Sequence, residues 1–230
     1  MPPPITNTPT EGDDAFQGTS LADYIDLLGG NDNYNGGDGN DTIRGGAGND
    51  TLLGEGGDDQ IFGGDGNDTI RGGPGNDVIQ GNKGDDFLRG NGNDDRIMGG
   101  TGNDTVLGDQ GNDTLHGNKG DDLLEGGNGD DLIVDAQGNS TLEGGAGDDT
   151  LKGGQDDDTF VFNDGFDTDT ILDFGNGADE LDLTGLNLAS LDDLEFSDEG
   201  SALHITTADG DTIILQGWSV GTFDTDTILI

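Results

Sequence analysis

The chain contains no cysteine among its 230 residues, which excludes disulfides and thiolate metal sites. Basic residues are nearly as scarce: seven Lys and Arg face fifty Asp and Glu, a formal net charge of −43. Nucleic-acid binding draws on Lys and Arg that displace counterions from phosphate, and anionic membrane surfaces recruit the same side chains. The acidity therefore argues against both partners. No apolar run approaches the ~18 residues of a membrane-spanning helix, so no insertion into a membrane is expected. There are two histidines, and no H-E-x-x-H, G-x-S-x-G or phosphate-loop pattern. The opening MPPPITNTPT has neither a basic nor an apolar region, so no Sec-type leader is expected. Hydrophobic residues make up 28%, far below the ~45–50% of ordinary globular chains. Low apolar content with high charge normally leaves a chain disordered, because too little burial offsets the lost chain entropy.

What is abundant is glycine, 47 residues of it, and it is placed periodically. Gly36 to Arg44 reads GGDGNDTIR, the next nine residues read GGAGNDTLL, and Gly63 to Arg71 reads GGDGNDTIR again. Extended without a gap, the frame runs from Pro9 to Val161, 153 residues or seventeen repeats of nine. The eighth position is apolar or aromatic throughout, from Phe16, Ile25 and Tyr34 to Leu151 and Phe160. The sixth is Asp in sixteen of the seventeen repeats, Ser140 being the exception. Glycine, Asn and Asp in the first six positions supply the positive φ angles of tight turns. The last three positions predict a short strand, with the eighth residue inward and the seventh and ninth outward. His116, a ninth-position residue, is expected to be outward and solvated.

The charge has the same period. Residues 1–161 hold 34 acidic residues against all seven basic ones, a net of −27; sixteen are sixth-position and eight are fifth-position aspartates. Carboxylates at a fixed interval suit cations, whereas a merely solvated acidic coat would scatter them. Calcium takes six to eight hard oxygens in tolerant geometry, magnesium demands a tighter octahedron, and transition metals favour recurring His or Cys, which are missing.

The pattern G-G-x-G-x-D-x-U-x resembles the RTX (repeats-in-toxin), haemolysin-type calcium-binding nonapeptide repeat, over about two-thirds of the chain. The resemblance implies an all-β fold, a parallel β-roll in which two nonapeptide repeats make one coil turn, closed by a C-terminal β-rich cap. It also implies Ca2+ between turns n and n+2, taking one aspartate from each turn together with turn carbonyls. The candidate metal ligands are Asp32, Asp41, Asp50, Asp59, Asp68, Asp77, Asp86, Asp95, Asp104, Asp113, Asp122, Asp131, Asp149 and Asp158. About ten ions are expected, enough to cancel much of the charge on the repeats.

Several repeats depart from the pattern. Leu21 replaces a fourth-position glycine, and Leu27 and Leu28 replace an opening pair, as expected of end repeats with one neighbour. Asn93 and Asp156 take fourth positions; Asn there is compatible with the left-handed conformation of the turn. Ser140 lacks the carboxylate, and Asp135 and Ala136 replace the glycines of the same repeat, so the ion beside Ser140 is expected to be weak or missing.

Three regions follow: a flexible tail over 1–8, the seventeen-repeat roll over 9–161, and a capping and secretion-signal region over 162–230. The segment from Asp158 to Leu186 resembles the closing segment of RTX rolls in serralysin-type proteases and alginate epimerases. Phe160, Phe162, Phe166 and Phe174 are expected to cover the last coil, with Trp218 in the cap core. Leu203 to Thr207 and Thr212 to Leu215 predict a hairpin around Asp209-Gly210, and Leu188 to Leu194 a short helix. The final Asp226-Thr227-Ile228-Leu229-Ile230 resembles the C-terminal signal of proteins exported by type I (ABC) systems; a last strand of the cap is the alternative, and the two are compatible.

The function expected is a non-catalytic calcium-binding module, exported from a bacterial cell and folding on Ca2+ outside it or at its surface. No enzyme activity is expected. The alternative is a calcium-dependent carbohydrate-binding or adhesion module for an anionic polysaccharide, with outward Arg71 and Arg89 as contacts. Seventh-position threonines form no continuous array, being interrupted by Phe87, Arg96, Leu123 and Leu132, so strand propensity accounts for them better than ice binding does.

Overall fold

The computed structural model describes residues 8–230. The tail expected over 1–8 lies, apart from Thr8, outside the described residues. Beyond it, successive strands alternate between two sheets. Thr42–Ala47 lies in one, Thr51–Gly56 in the other, and Gln60–Asp65 returns beside the first. Pairing is parallel in register, Ile43 against Ile61 and Leu52 against Ile70. Each coil is thus two repeats, and the sheets reach 11 and 12 strands.

Three-residue strands are expected, yet most run for six, from the seventh position through the third position of the next repeat, as in Thr69–Pro74 and Arg96–Thr101. Alternation explains the extension. The eighth residue points inward, the ninth outward, and the first residue of the next repeat inward again, where the roll narrows toward its edge. Glycine suits the regular repeats there: the first-position glycines from Gly36 on are buried, and a Cβ on Gly72 would meet the carboxylate of Asp77 and the carbonyl of Gly90. The turn proper shrinks to positions four to six. Asn93 and Asp156 hold the left-handed conformation of that turn, at φ 74° and 79°, so both substituted turns keep their shape.

Two aliphatic columns fill the interior, one per sheet. From Tyr34 to Phe160 every eighth-position side chain is fully buried, with Phe16 partly buried at the open end. One apolar side chain per nine residues makes a thin core, about 1.5–3 kcal/mol for each one sequestered.

The sheets outlast the repeat. Thr168–Ile171 adds to one and Glu180–Asp182 to the other, placing Ile171 on Leu151 and Leu181 on Phe160. The second sheet then ends on Ile228–Leu229, so the C-terminal residues form a strand. The first ends in the predicted hairpin, Ala202–Thr206 and Thr212–Gln216, extended by an unforeseen antiparallel strand Glu195–Glu199. In place of a helix over 188–194 there is one 3-10 turn, Leu191–Asp193, capped reciprocally by Ser190 and Asp193. Phe160, Phe162, Phe166 and Phe174 are all buried, and Trp218 stacks edge-on to Phe174 while donating its indole N–H to the Phe174 carbonyl at 2.8 Å.

Removing 162–230 uncovers Phe160 and Leu151 and opens both strand edges. With calcium present, the truncated chain is expected to lose on the order of 3–6 kcal/mol and to aggregate through those edges. Denaturant unfolding beside the full chain checks this; equal midpoints would mean that the roll closes without the region.

Candidate metal centres

Each sixth-position aspartate follows the turn and precedes the strand, so stacking coils stacks carboxylates. The main-chain N–H of each donates to Oδ1 of its counterpart one coil further on: Asp50 to Asp68 at 2.8 Å, Asp68 to Asp86 at 2.8 Å, and on the other edge Asp77 to Asp95 at 2.7 Å. The result is one ladder along each edge. The fourteen aspartates named from sequence all lie in these ladders, 3% exposed or less.

The second oxygen is what sets them apart. Oδ2 of Asp32, Asp41, Asp50, Asp59, Asp68 and Asp77 is buried without a hydrogen-bond partner, and the same holds from Asp86 through Asp131 and at Asp149. From Asp41 on it lies against the bare Cα of the first-position glycine of its own repeat, and in regular repeats, such as the one opened by Gly72, the carbonyl of the equivalent glycine one coil on lies beside it. Buried oxygens without donors are costly, and a carboxylate oxygen set beside a main-chain carbonyl begins the shell of a hard cation. Among the described residues no three His, Cys, Asp or Glu side chains converge, so an ion here would be held by at most two carboxylates, with main-chain carbonyls as the remaining protein donors.

Two positions excluded from the ligand set behave differently. Asp14 and Asp23, in the first coil, have Oδ2 satisfied by Thr10 and Thr19, whose N–H groups donate at 2.7 and 2.6 Å. Fifth-position residues, whose aspartates share the period of the candidate ligands, are exposed and do structural work. Asn49 Oδ1 accepts from Asn67 N–H at 2.9 Å and Asp85 Oδ1 from Asn103 N–H at 2.8 Å. An accepting oxygen suffices there, which is why Asn and Asp interchange.

The ladders also run past the repeat. Asp149 N–H donates to Asp169 Oδ1 at 2.9 Å and Asp158 N–H to Asp179 Oδ1 at 3.1 Å. Asp169 is fully buried with an unpartnered Oδ2, like thirteen of the fourteen, Asp158 being the exception. Sequence spacing missed both because the intervals are twenty and twenty-one residues. The surviving signal is the D-x-aliphatic ending, Asp169-Thr170-Ile171 and Asp179-Glu180-Leu181.

Burial pushes these carboxyls up: Asp50 and Asp59 to about 6, Asp68 and Asp77 to about 7, Asp95 to about 8. The N–H from the adjacent coil opposes the rise, and neighbouring aspartates add to it. On the outer faces, His116 is only partly exposed between Met98 and Val134, and burial followed by Arg96 lowers its pKa, a departure from the solvated position expected. Arg71 and Arg89 are neighbours as expected, but Arg89 is held by the Asp109 carboxylate, its Nη2 donating at 2.7 Å.

A ladder of buried carboxylates along each edge of a parallel, two-sheet roll defines a calcium-binding β-roll. The sequence matches the RTX calcium-binding nonapeptide repeat (4 copies) over 9–43, 35–70, 71–106, 107–134 and 136–169, and the chain belongs to that family. Its repeats are calcium-binding repeats. No curated protein matches the chain. Among solved structures it is similar to the AlgE6R2 subunit of the Azotobacter vinelandii mannuronan C5-epimerase, at 29% identity and TM-score 0.38, over 50% of this chain and 91% of that one. The AlgE6R3 subunit of the same epimerase gives 26% and 0.26, over 65% and 80%. The extracellular lipase LipA from Serratia marcescens gives 19% and 0.33, over 79% of this chain and 40% of the lipase.

Proposed function

We propose that this chain is an exported, non-catalytic module that folds around calcium outside the cell. The fourteen named aspartates, joined by Asp169, hold the ions through Oδ2. The observation that carries the reading is the repeated cradle: an unpartnered, buried Oδ2 and a neighbouring carbonyl converging where a first-position glycine has no side chain. Calcium supplies the positive charge that such a set of oxygens lacks. The protein contributes turns that preset the oxygens and, in each gap, one aspartate from either coil. Among the described residues no helix is long and apolar enough to cross a membrane. A chain that stays expanded where calcium is scarce and folds where it is plentiful suits passage through a type I (ABC) exporter. The polysaccharide alternative draws less support, since Arg89 is engaged by Asp109 rather than free for an anionic sugar.

The test removes a cradle without touching a carboxylate. In Gly72→Ala the new Cβ falls within 2.9 Å of the Gly90 carbonyl and closer still to Asp77 Oδ2, so the oxygen must leave. Calorimetry is expected to show weakened or lost binding beside Asp77 and about 1–3 kcal/mol of lost stability in calcium. Gly92→Ala, whose Cβ meets nothing within 4 Å, serves as the control. Identical calcium binding by the two variants would remove the cradle from the mechanism.

A further inference from the structure

The repeat 135–143 carries two exchanges at once, Asp135 in place of its first glycine and Ser140 in place of its aspartate. Ser140 performs half of the missing residue's work. Its Oγ accepts the Asp122 N–H at 3.0 Å, the bond that an Oδ1 accepts elsewhere, and its own N–H donates to Asp158 Oδ1 at 3.0 Å. The ladder stays continuous. What a hydroxyl cannot supply is the second, anionic oxygen.

Asp135 supplies one. It is 1% exposed, and its Oδ2 accepts the Ser140 hydroxyl at 2.9 Å while its Oδ1 is buried without any partner. The position of that orphan is informative. A Cβ on Gly108 would meet Asp113 Oδ2 and, at 2.5 Å, the main-chain oxygen of Gly126. A Cβ on Gly117 would meet Asp122 Oδ2 and, at 2.6 Å, Asp135 Oδ1 instead. The side-chain oxygen of Asp135 therefore occupies the slot that a carbonyl fills in the regular cradle, facing an Asp122 Oδ2 that is also unpartnered. Coil register is unchanged around it: Asp135 N–H donates to the Lys152 carbonyl at 2.8 Å and Gln137 N–H to that of Asn118 at 3.0 Å.

Two buried carboxylate oxygens face each other here with no donor between them. We infer that Asp135 is a transposed calcium ligand: with Asp122 it forms an ion site in the gap that Ser140 would otherwise leave defective. The gap retains two carboxylates, one from each coil, as in the regular repeats. Ser140 is a positioning residue that holds Asp135 by its hydroxyl. This inference rests on the calcium reading above.

The full chain and two variants separate the outcomes when bound ions are counted by native mass spectrometry at saturating calcium, with calorimetry as a second count. Asp135→Asn keeps an oxygen for Ser140 but removes the charge, and is expected to hold one ion fewer than the parent. Asp135→Gly with Ser140→Asp rebuilds the regular repeat on both sides of residue 140 and is expected to hold at most one ion more than the parent, that of the gap toward Asp158. A double variant holding two ions more than the parent overturns the inference, because the native gap beside Asp122 would then have been empty. Equal counts in the parent and Asp135→Asn overturn it as well. If Asp135→Asn does not fold, the double variant decides alone. A parent that binds no calcium at all fails the calcium reading itself, and this site with it.

Discussion

Dialysed against EGTA, the chain is expected to lose the strand signal in circular dichroism, and calcium is expected to restore it in one cooperative step. The repeats carry a net charge of −27 over residues 1–161, and folding gathers their sixth-position aspartates into two buried ladders. Without cations, each coil added to the roll brings another buried, unpartnered carboxylate oxygen close to its neighbours. Self-repulsion and desolvation then oppose a core of one side chain per nine residues. Because a cradle needs two formed coils, the first ion binds at the cost of ordering both, while each later ion extends an existing edge. Binding free energy becomes folding free energy. About ten ions would cancel some twenty charges, so the change in stability is the largest expected for this protein. A chain that keeps its full strand signal in excess EGTA would overturn this account.

Lowering the pH is expected to act in opposite directions with and without calcium. The ladder aspartates are raised by burial to about 6 at Asp50, about 7 at Asp68 and about 8 at Asp95, against about 3.9 in an unfolded chain. A carboxyl raised by folding favours the folded state when protonated. Its contribution is fully present below about pH 4 and is lost as pH rises through the folded value. In metal-free buffer, acidification from pH 8 toward pH 4 is therefore expected to increase strand content, the gain accumulating from the folded values of about 6 to 8 down to about pH 4. With calcium at a fixed, limiting concentration the same protons compete for the same Oδ2 atoms, so the calcium midpoint rises as pH falls. Calcium titrations at pH 8, 7 and 6, alongside a metal-free pH series, check both halves. A calcium midpoint that does not move with pH would mean that protons and ions do not share those oxygens.

Much of the fold is legible in the sequence because the repeat is strict. One aliphatic every nine residues fixes which side chain faces inward, and two such columns appear as expected, Ile43 over Ile61 over Ile79 in one sheet and Leu52 over Ile70 over Leu88 in the other. The aspartate period likewise locates the fourteen ladder residues. Strand length is not legible, because glycine reads locally as a turn former. Its paired state in positions one to three, with the second residue at positive φ as at Gly73 (118°), depends on the coil beside it. The continuation through Asp169 and Asp179 is hidden for a related reason, since the loops before them lengthen and the glycine half of the motif is gone, while stacking tolerates loops of different length.

By itself the sequence determines the period, the inward column, the carboxylate interval and hence a cation-dependent roll. These are one-dimensional properties of a chain whose contacts all repeat at a fixed spacing. Only the tertiary structure decides which oxygens lack donors, because the fate of each Oδ2 depends on a glycine five residues back and a carbonyl one coil on. It separates the satisfied Asp14 and Asp23 from the orphaned aspartates that follow. It also turns Asp135 from a departure within a damaged repeat into a carboxylate aimed at Asp122, through contacts between coils that no local pattern records.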